Sequence, residues 1–92
     1  MSVVIVGGND RMERQYIEAC RACGAEAKVF TQGSGKLRRQ IGTPDLLVLF
    51  TGTVSHEMAS AAVREASKSK IALERSHRSS LSALQSILKM YC

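Results

Sequence analysis

The sequence has no tryptophan, and its aromatic side chains are only two Phe and two Tyr. Few platforms exist for stacking on unpaired bases, which argues against a single-stranded nucleic-acid channel. Three cysteines, Cys20, Cys23 and Cys92, make an odd count, so no intramolecular disulfide framework can use all of them. No apolar stretch approaches the ~20 residues that a helix needs to cross a bilayer. A charged segment followed by a long apolar one is also missing from the start, where Met1 leads almost directly into Val3-Val4-Ile5-Val6. The expectation is a protein of a reducing cytoplasm with no membrane association.

Acidic residues are the minority, 8 Asp and Glu against 13 Lys and Arg, for a formal net charge of +5. That balance suits nucleic acid, nucleotides or other anions as partners. The cations are spread along the chain, with only Lys36-Leu37-Arg38-Arg39 grouped. An ordinary basic surface explains such a distribution about as well as a nucleic-acid interface does.

What is present is an alternation of strand-like and helix-like segments over 92 residues, read as a single domain, 1–92. Val3 to Val6 is a β-branched run closed by Gly7-Gly8-Asn9-Asp10, and Asn9 or Asp10 can cap the helix that follows. Met12, Tyr16, Cys20 and Cys23 recur at helical spacing up to Gly24. Ala25 to Phe30 alternates apolar with Glu26 and Lys28, as an edge strand does. Lys36 to Ile41 reads as a short helix, and Pro44 suits the entry to the next strand. Leu46 to Phe50 is five apolar residues in a row, the mark of a strand buried on both faces. Thr53 or Ser55 can cap a helix whose face is Met58, Ala62, Val63 and Ala66. Ile71 to Leu73 is a short fourth strand, followed by a polar stretch from Glu74 to Ser80. Leu81, Leu84, Ile87, Leu88 and Tyr91 then form the clearest amphipathic stripe in the chain.

A β-α repeat of this kind predicts an α/β fold: a parallel sheet with helices on both faces, a three-layer, truncated flavodoxin-like or Rossmann-like domain. Right-handed crossovers and the burial of strands one and three predict strand order 2-1-3-4. The topological switch then falls between strands one and three, where open α/β sheets bind ligands. With no fifth strand to reach, the last helix must fold back beside the first or pair with another chain.

Several motifs fail on inspection. Gly7-Gly8-Asn9-Asp10 lacks the later glycines of a dinucleotide-binding loop, although a glycine pair before a helix can admit a phosphate to backbone N–H groups. Gly33-Ser34-Gly35-Lys36 resembles the end of a Walker A loop, but Leu37 replaces the Ser or Thr and Phe30 the first glycine. A receiver domain would need an aspartate where Thr51 stands. His56 and His77 have no carboxylate or cysteine at a ligand-like spacing, so no metal is expected. Cys20-x-x-Cys23 sits at a helix C-terminus, where a thiolate is not stabilised, and reads as two buried apolar cysteines. Cys92 belongs to no motif.

Thr51-Gly52-Thr53-Val54-Ser55-His56 is the most informative group, with hydroxyls and a histidine at a helix N-terminus. Arg75-Ser76-His77-Arg78-Ser79-Ser80 brings a guanidinium and a second helix N-terminus to the same end of the sheet. Plain helix caps and solvated loop charges are the competing explanation for both groups. Val4-Ile5-Val6-Gly7-Gly8-Asn9, Asp45 to Phe50, Thr51-x-x-Val54-Ser55-His56 and Ser79-Ser80-Leu81-x-Ala83-Leu84 together make the chain resemble a small bacterial family catalogued as domain of unknown function 2325. The resemblance implies a compact α/β domain in a bacterial cytoplasm and implies no activity. Members often carry His where this chain has Asn9.

The expected function is binding of a small anionic ligand, a nucleotide or phosphorylated metabolite, by Gly7, Gly8, Asn9, Thr51, Ser55, His56, Arg75, Ser79 and Ser80. No cofactor is expected. One alternative is a ligand-free interaction module, most simply a homodimer formed through the last helix. The other is an enzyme using His56 as acid or base, ranked last because no second catalytic partner is fixed by spacing.

Overall fold

The computed structural model describes residues 1–32 and 40–92. Strands β1 (Ser2–Val6), β2 (Glu26–Phe30), β3 (Leu46–Phe50) and β4 (Ala72–Ser76) form one parallel sheet in the order β2-β1-β3-β4. This is the order expected from strand burial and crossover handedness. Helices α1 (Glu13–Ala22) and α3 (Leu81–Leu88) cover one face, and α2 (His56–Lys68) covers the other. The short helix expected over residues 36–41 and the loop Gly33-Ser34-Gly35-Lys36 lie outside the described residues, apart from helical Gln40 and buried Ile41.

The strand sequences account for the layering. Side chains alternate across a sheet, so a central strand covered on both sides must be apolar throughout. All five residues of β3 are buried accordingly. Val3, Ile5, Val48 and Phe50 face α1 and α3, where they meet Tyr16, Cys20 and Leu84. Val4, Val6, Leu47 and Leu49 face Ile41, Met58, Ala62 and Ala66 on the other side. β2, at one edge, alternates exposed Glu26 and Lys28 with half-buried neighbours.

The last helix folds back beside the first, with Leu84, Ile87 and Leu88 buried in the cluster shared with α1. Each such side chain contributes roughly 2 kcal/mol by leaving water. Most of the amphipathic stripe is thus taken up within the chain. Tyr91 is the exception, 37% exposed, with its hydroxyl donating to Glu74 Oε1 at 2.7 Å.

Two expectations need correction. The fourth strand does not stop at Leu73: its ladder with β3 runs from Leu46 opposite Ala72 to Phe50 opposite Ser76. An edge strand leaves polar side chains hydrated while its backbone still pairs, so Glu74, Arg75 and Ser76 can extend it. The cysteines also divide differently. Cys20 is buried, but Cys23 is half-buried and bonded to Cys92, with Cα atoms 5.8 Å apart. Packing of α3 on α1 carries Cys92, hydrogen-bonded to Leu88 one turn past α3, up to the C-cap of α1. Sixty-nine residues separate the two cysteines, so no local sequence pattern announces their bond.

Candidate functional site

Function in a sheet of this type is sought at the carboxyl ends of its strands. The loops after β1, β3 and β4 meet there. After β1, Gly7 adopts φ +100°, and its N–H donates to the Phe30 carbonyl at 2.8 Å. A β-carbon at Gly7 would lie 2.6 Å from Val54 Cγ1 and 2.9 Å from the Phe50 carbonyl oxygen. Only glycine lets the loops after β1 and β3 approach this closely. Gly8 N–H then donates to Thr53 Oγ1 at 2.7 Å, and the Thr53 hydroxyl lies 3.3 Å from the Phe50 carbonyl it donates to.

Asn9 is used locally as well. Its side-chain oxygen accepts from Arg11 N–H at 3.0 Å and caps the 3-10 turn Asp10–Met12. Its own N–H donates to the Tyr16 hydroxyl at 3.3 Å. That hydroxyl in turn donates to the Ser79 carbonyl at 2.6 Å. Tyr16 is fully buried with its ring 5.5 Å from that of Phe50, so one side chain anchors the exit of β1, the core and the approach to α3. Asp10 accepts from the Thr31 hydroxyl and from Gln32 Nε2, joining the exits of β1 and β2.

The loops after β3 and β4 are joined by a second close approach. Thr51, Gly52 and Thr53 form a 3-10 turn, and His77 lies against Gly52. A β-carbon at Gly52 would collide with the His77 carbonyl and sit 3.2 Å from the ring carbon Cε1. The two hydroxyls expected at helix starts act as caps. Ser55 Oγ accepts from Met58 N–H at 3.1 Å, and Ser80 Oγ accepts from Ala83 N–H at 3.2 Å. Thr51, His56, Arg75, His77 and Arg78 are exposed around this junction. Arg75 pairs in register with Leu49 and so projects on the α2 side of the sheet. His56, the first residue of α2, lines an open groove along the outer side of that helix with Ser60, Val63 and Arg64.

All nine expected site residues therefore lie at or beside one end of the sheet, but in different states. Gly7, Gly8 and Asn9 have their N–H groups engaged within the chain, and Ser55 and Ser80 are occupied as caps. Ser79 is half-buried with its carbonyl bonded to Tyr16. Thr51, His56 and Arg75 keep exposed polar groups. Sequence reasoning missed Tyr16 and Thr53 as organisers: it read the first as a helix-face position and the second as a cap. Among the described residues, no group of three or more His, Cys, Asp or Glu could hold a metal ion. No helix among them is long and apolar enough to cross a membrane.

The sequence model of the bacterial family described as "uncharacterized protein conserved in bacteria", domain of unknown function 2325, matches residues 2–91. The chain belongs to that family. No curated protein and no solved structure matches it.

Proposed function

We propose that the chain binds a small anionic ligand, a nucleotide or phosphorylated metabolite, at the end of the sheet where β1, β3 and β4 terminate. The observation that carries this reading is the junction of the β3 and β4 loops. His77 lies against Gly52, so the two loops approach closely, with exposed Thr51, His56, Arg75 and Arg78 on them and beside them. Both α2 and α3 begin at this edge, and the positive ends of their dipoles favour an anion there. Because Ser55 and Ser80 are engaged as caps, the contacts assigned to the ligand are the guanidinium groups and His56. A net charge of +5 adds long-range attraction.

The test is a thermal-shift panel of inorganic phosphate, nucleotides and sugar phosphates at millimolar concentration, repeated across salt. A ligand at one hundred times its dissociation constant should stabilise the chain by about 2.7 kcal/mol. Arg75→Gln should weaken binding roughly tenfold by removing a bidentate anion contact. No shift with any member of the panel would count decisively against the reading. Filter binding across salt tests nucleic acid as the larger anion.

A cytoplasmic home is part of the same proposal, and so is a homodimer, tested by sedimentation over a range of concentrations. Pairing through the apolar stripe of α3 is disfavoured, because Leu84, Ile87 and Leu88 are buried inside the chain.

A further inference from the structure

Residues 89–92 are held differently from α3, which they follow. Lys89, Met90, Tyr91 and Cys92 are all exposed, Met90 to 64%. Backbone bonds to α3 continue through Cys92, whose N–H donates to the Leu88 carbonyl at 2.8 Å. Among the described residues, the Tyr91 hydroxyl on Glu74 and the bond from Cys92 to Cys23 reach outside that local turn. With Tyr91 only partly covered and none of its residues in the core, the segment depends on the sulfur bond more than α3 does, since α3 keeps Leu84, Ile87 and Leu88 in the core.

The three cysteines differ in access. Cys92 is exposed, Cys23 is half-buried at the C-cap of α1, and Cys20 is fully buried one turn before it. Burial pushes the Cys20 thiol up to about 11, so it stays protonated near neutral pH. A buried thiol is a poor attacking group, which makes Cys20 a poor exchange partner for Cys23 despite their spacing.

We propose that Cys23 and Cys92 form a reversible thiol–disulfide exchange site, opened by low-molecular-weight thiols at Cys92 and closed by their disulfides, which releases or fastens the segment after α3. In opening, a small thiolate attacks the accessible Cys92 sulfur. A new sulfur–sulfur bond forms there as the Cys23–Cys92 bond breaks, and Cys23 leaves as thiolate and takes up a proton. A second small thiolate attacks the mixed disulfide, releases the small-molecule disulfide and leaves Cys92 reduced. The protein pair gains two electrons, and two small thiols are oxidised to one disulfide. Closing runs these steps in reverse. The site lies at the α1 C-cap, away from the α2 and α3 N-termini, so it is independent of the anion proposal.

The experiment equilibrates the whole chain in buffers from fully reduced to fully oxidised glutathione, maps its sulfur bonds by alkylation and mass spectrometry, and records melting curves. Wild type and Cys20→Ser should carry a Cys23–Cys92 bond in oxidised buffer and lose it in reduced buffer. The melting temperature should fall by roughly 5–15 °C on reduction. Cys23→Ser should carry one glutathione on Cys92, and its melting temperature should follow the buffer far less. A Cys20–Cys23 bond, a Cys92 that stays free in every buffer, or an undiminished redox shift in Cys92→Ser would overturn the proposal. Should Cys20→Ser fail to fold, mapping of the wild type still distinguishes the three pairings.

Discussion

The two loop junctions at the carboxyl end of the sheet contrast in how they use their polar groups. Between β1 and β3, the Gly8 N–H and Thr53 hydroxyl bond to each other, Gly7 sits under Val54, and Asn9 bonds to Arg11 and Tyr16. Between β3 and β4, His77 lies against Gly52, and Thr51, Arg75, His77 and Arg78 remain exposed. The first is the topological switch point, where a crevice would ordinarily receive a ligand. Here the chain bridges that crevice with its own groups. A fold-level rule locates the end of the sheet, but local hydrogen bonding decides which part of that end keeps donors for a ligand.

The largest effect should come from forcing the two junctions apart in turn. Gly7→Ala combines a positive φ with a β-carbon against Val54 Cγ1 and the Phe50 carbonyl, so it should lose about 3 kcal/mol of stability in urea unfolding. Gly52→Ala meets the His77 backbone without a left-handed penalty and should cost about 2 kcal/mol. If both variants cost the same, the positive φ of Gly7 adds nothing to its clash and the ranking fails. Gly52→Ala should also displace the loop bearing Arg78, so phosphate affinity should drop more in that variant than in Gly7→Ala.

Tyr16→Phe tests whether the closed junction is braced from the core. The ring remains to pack on Phe50, while the hydroxyl that donates to Ser79 and accepts from Asn9 is lost. Removing one partner of a part-buried pair costs about 1–2 kcal/mol. Amide exchange should accelerate at Asn9 and in the first turn of α3 and stay unchanged in β2. Uniform acceleration across the molecule would show that Tyr16 supports the fold generally and not the link between these loops.

Much of this architecture could be read from the residues. Val3 to Val6 and Leu46 to Phe50 announce two-sided burial, Glu26 and Lys28 announce an edge, and chirality then fixes the strand order. Ser55 and Ser80 are visible as caps because capping acts over three residues. Contacts across long sequence separations were not legible. Gly8 meets Thr53 forty-five residues away, Tyr16 meets Ser79 sixty-three away, and Cys23 meets Cys92 sixty-nine away. Arg75 was misplaced for another reason. Polarity suggests a loop, whereas an edge strand accepts charged residues wherever backbone pairing continues.

Thr53→Val should have the smallest effect on stability and bears most directly on the contrast. Valine keeps the shape and deletes the hydroxyl, so the bonds with Gly8 N–H and the Phe50 carbonyl are lost together. Gly8 is only half-buried and water can replace its partner, which limits the cost to about 1 kcal/mol. The variant also turns the Gly8 N–H into a free donor at the switch point. If an anion is held by Arg75 and its neighbours at the β3–β4 junction, its affinity in Thr53→Val should stay within about twofold of wild type, since no assigned contact has changed. A change of tenfold, about 1.4 kcal/mol, would place the ligand at the switch point and reverse the roles given to the two junctions. Isothermal titration with inorganic phosphate and a nucleotide, run beside Arg75→Gln, separates the outcomes: the two substitutions should affect binding unequally, with the larger loss in Arg75→Gln.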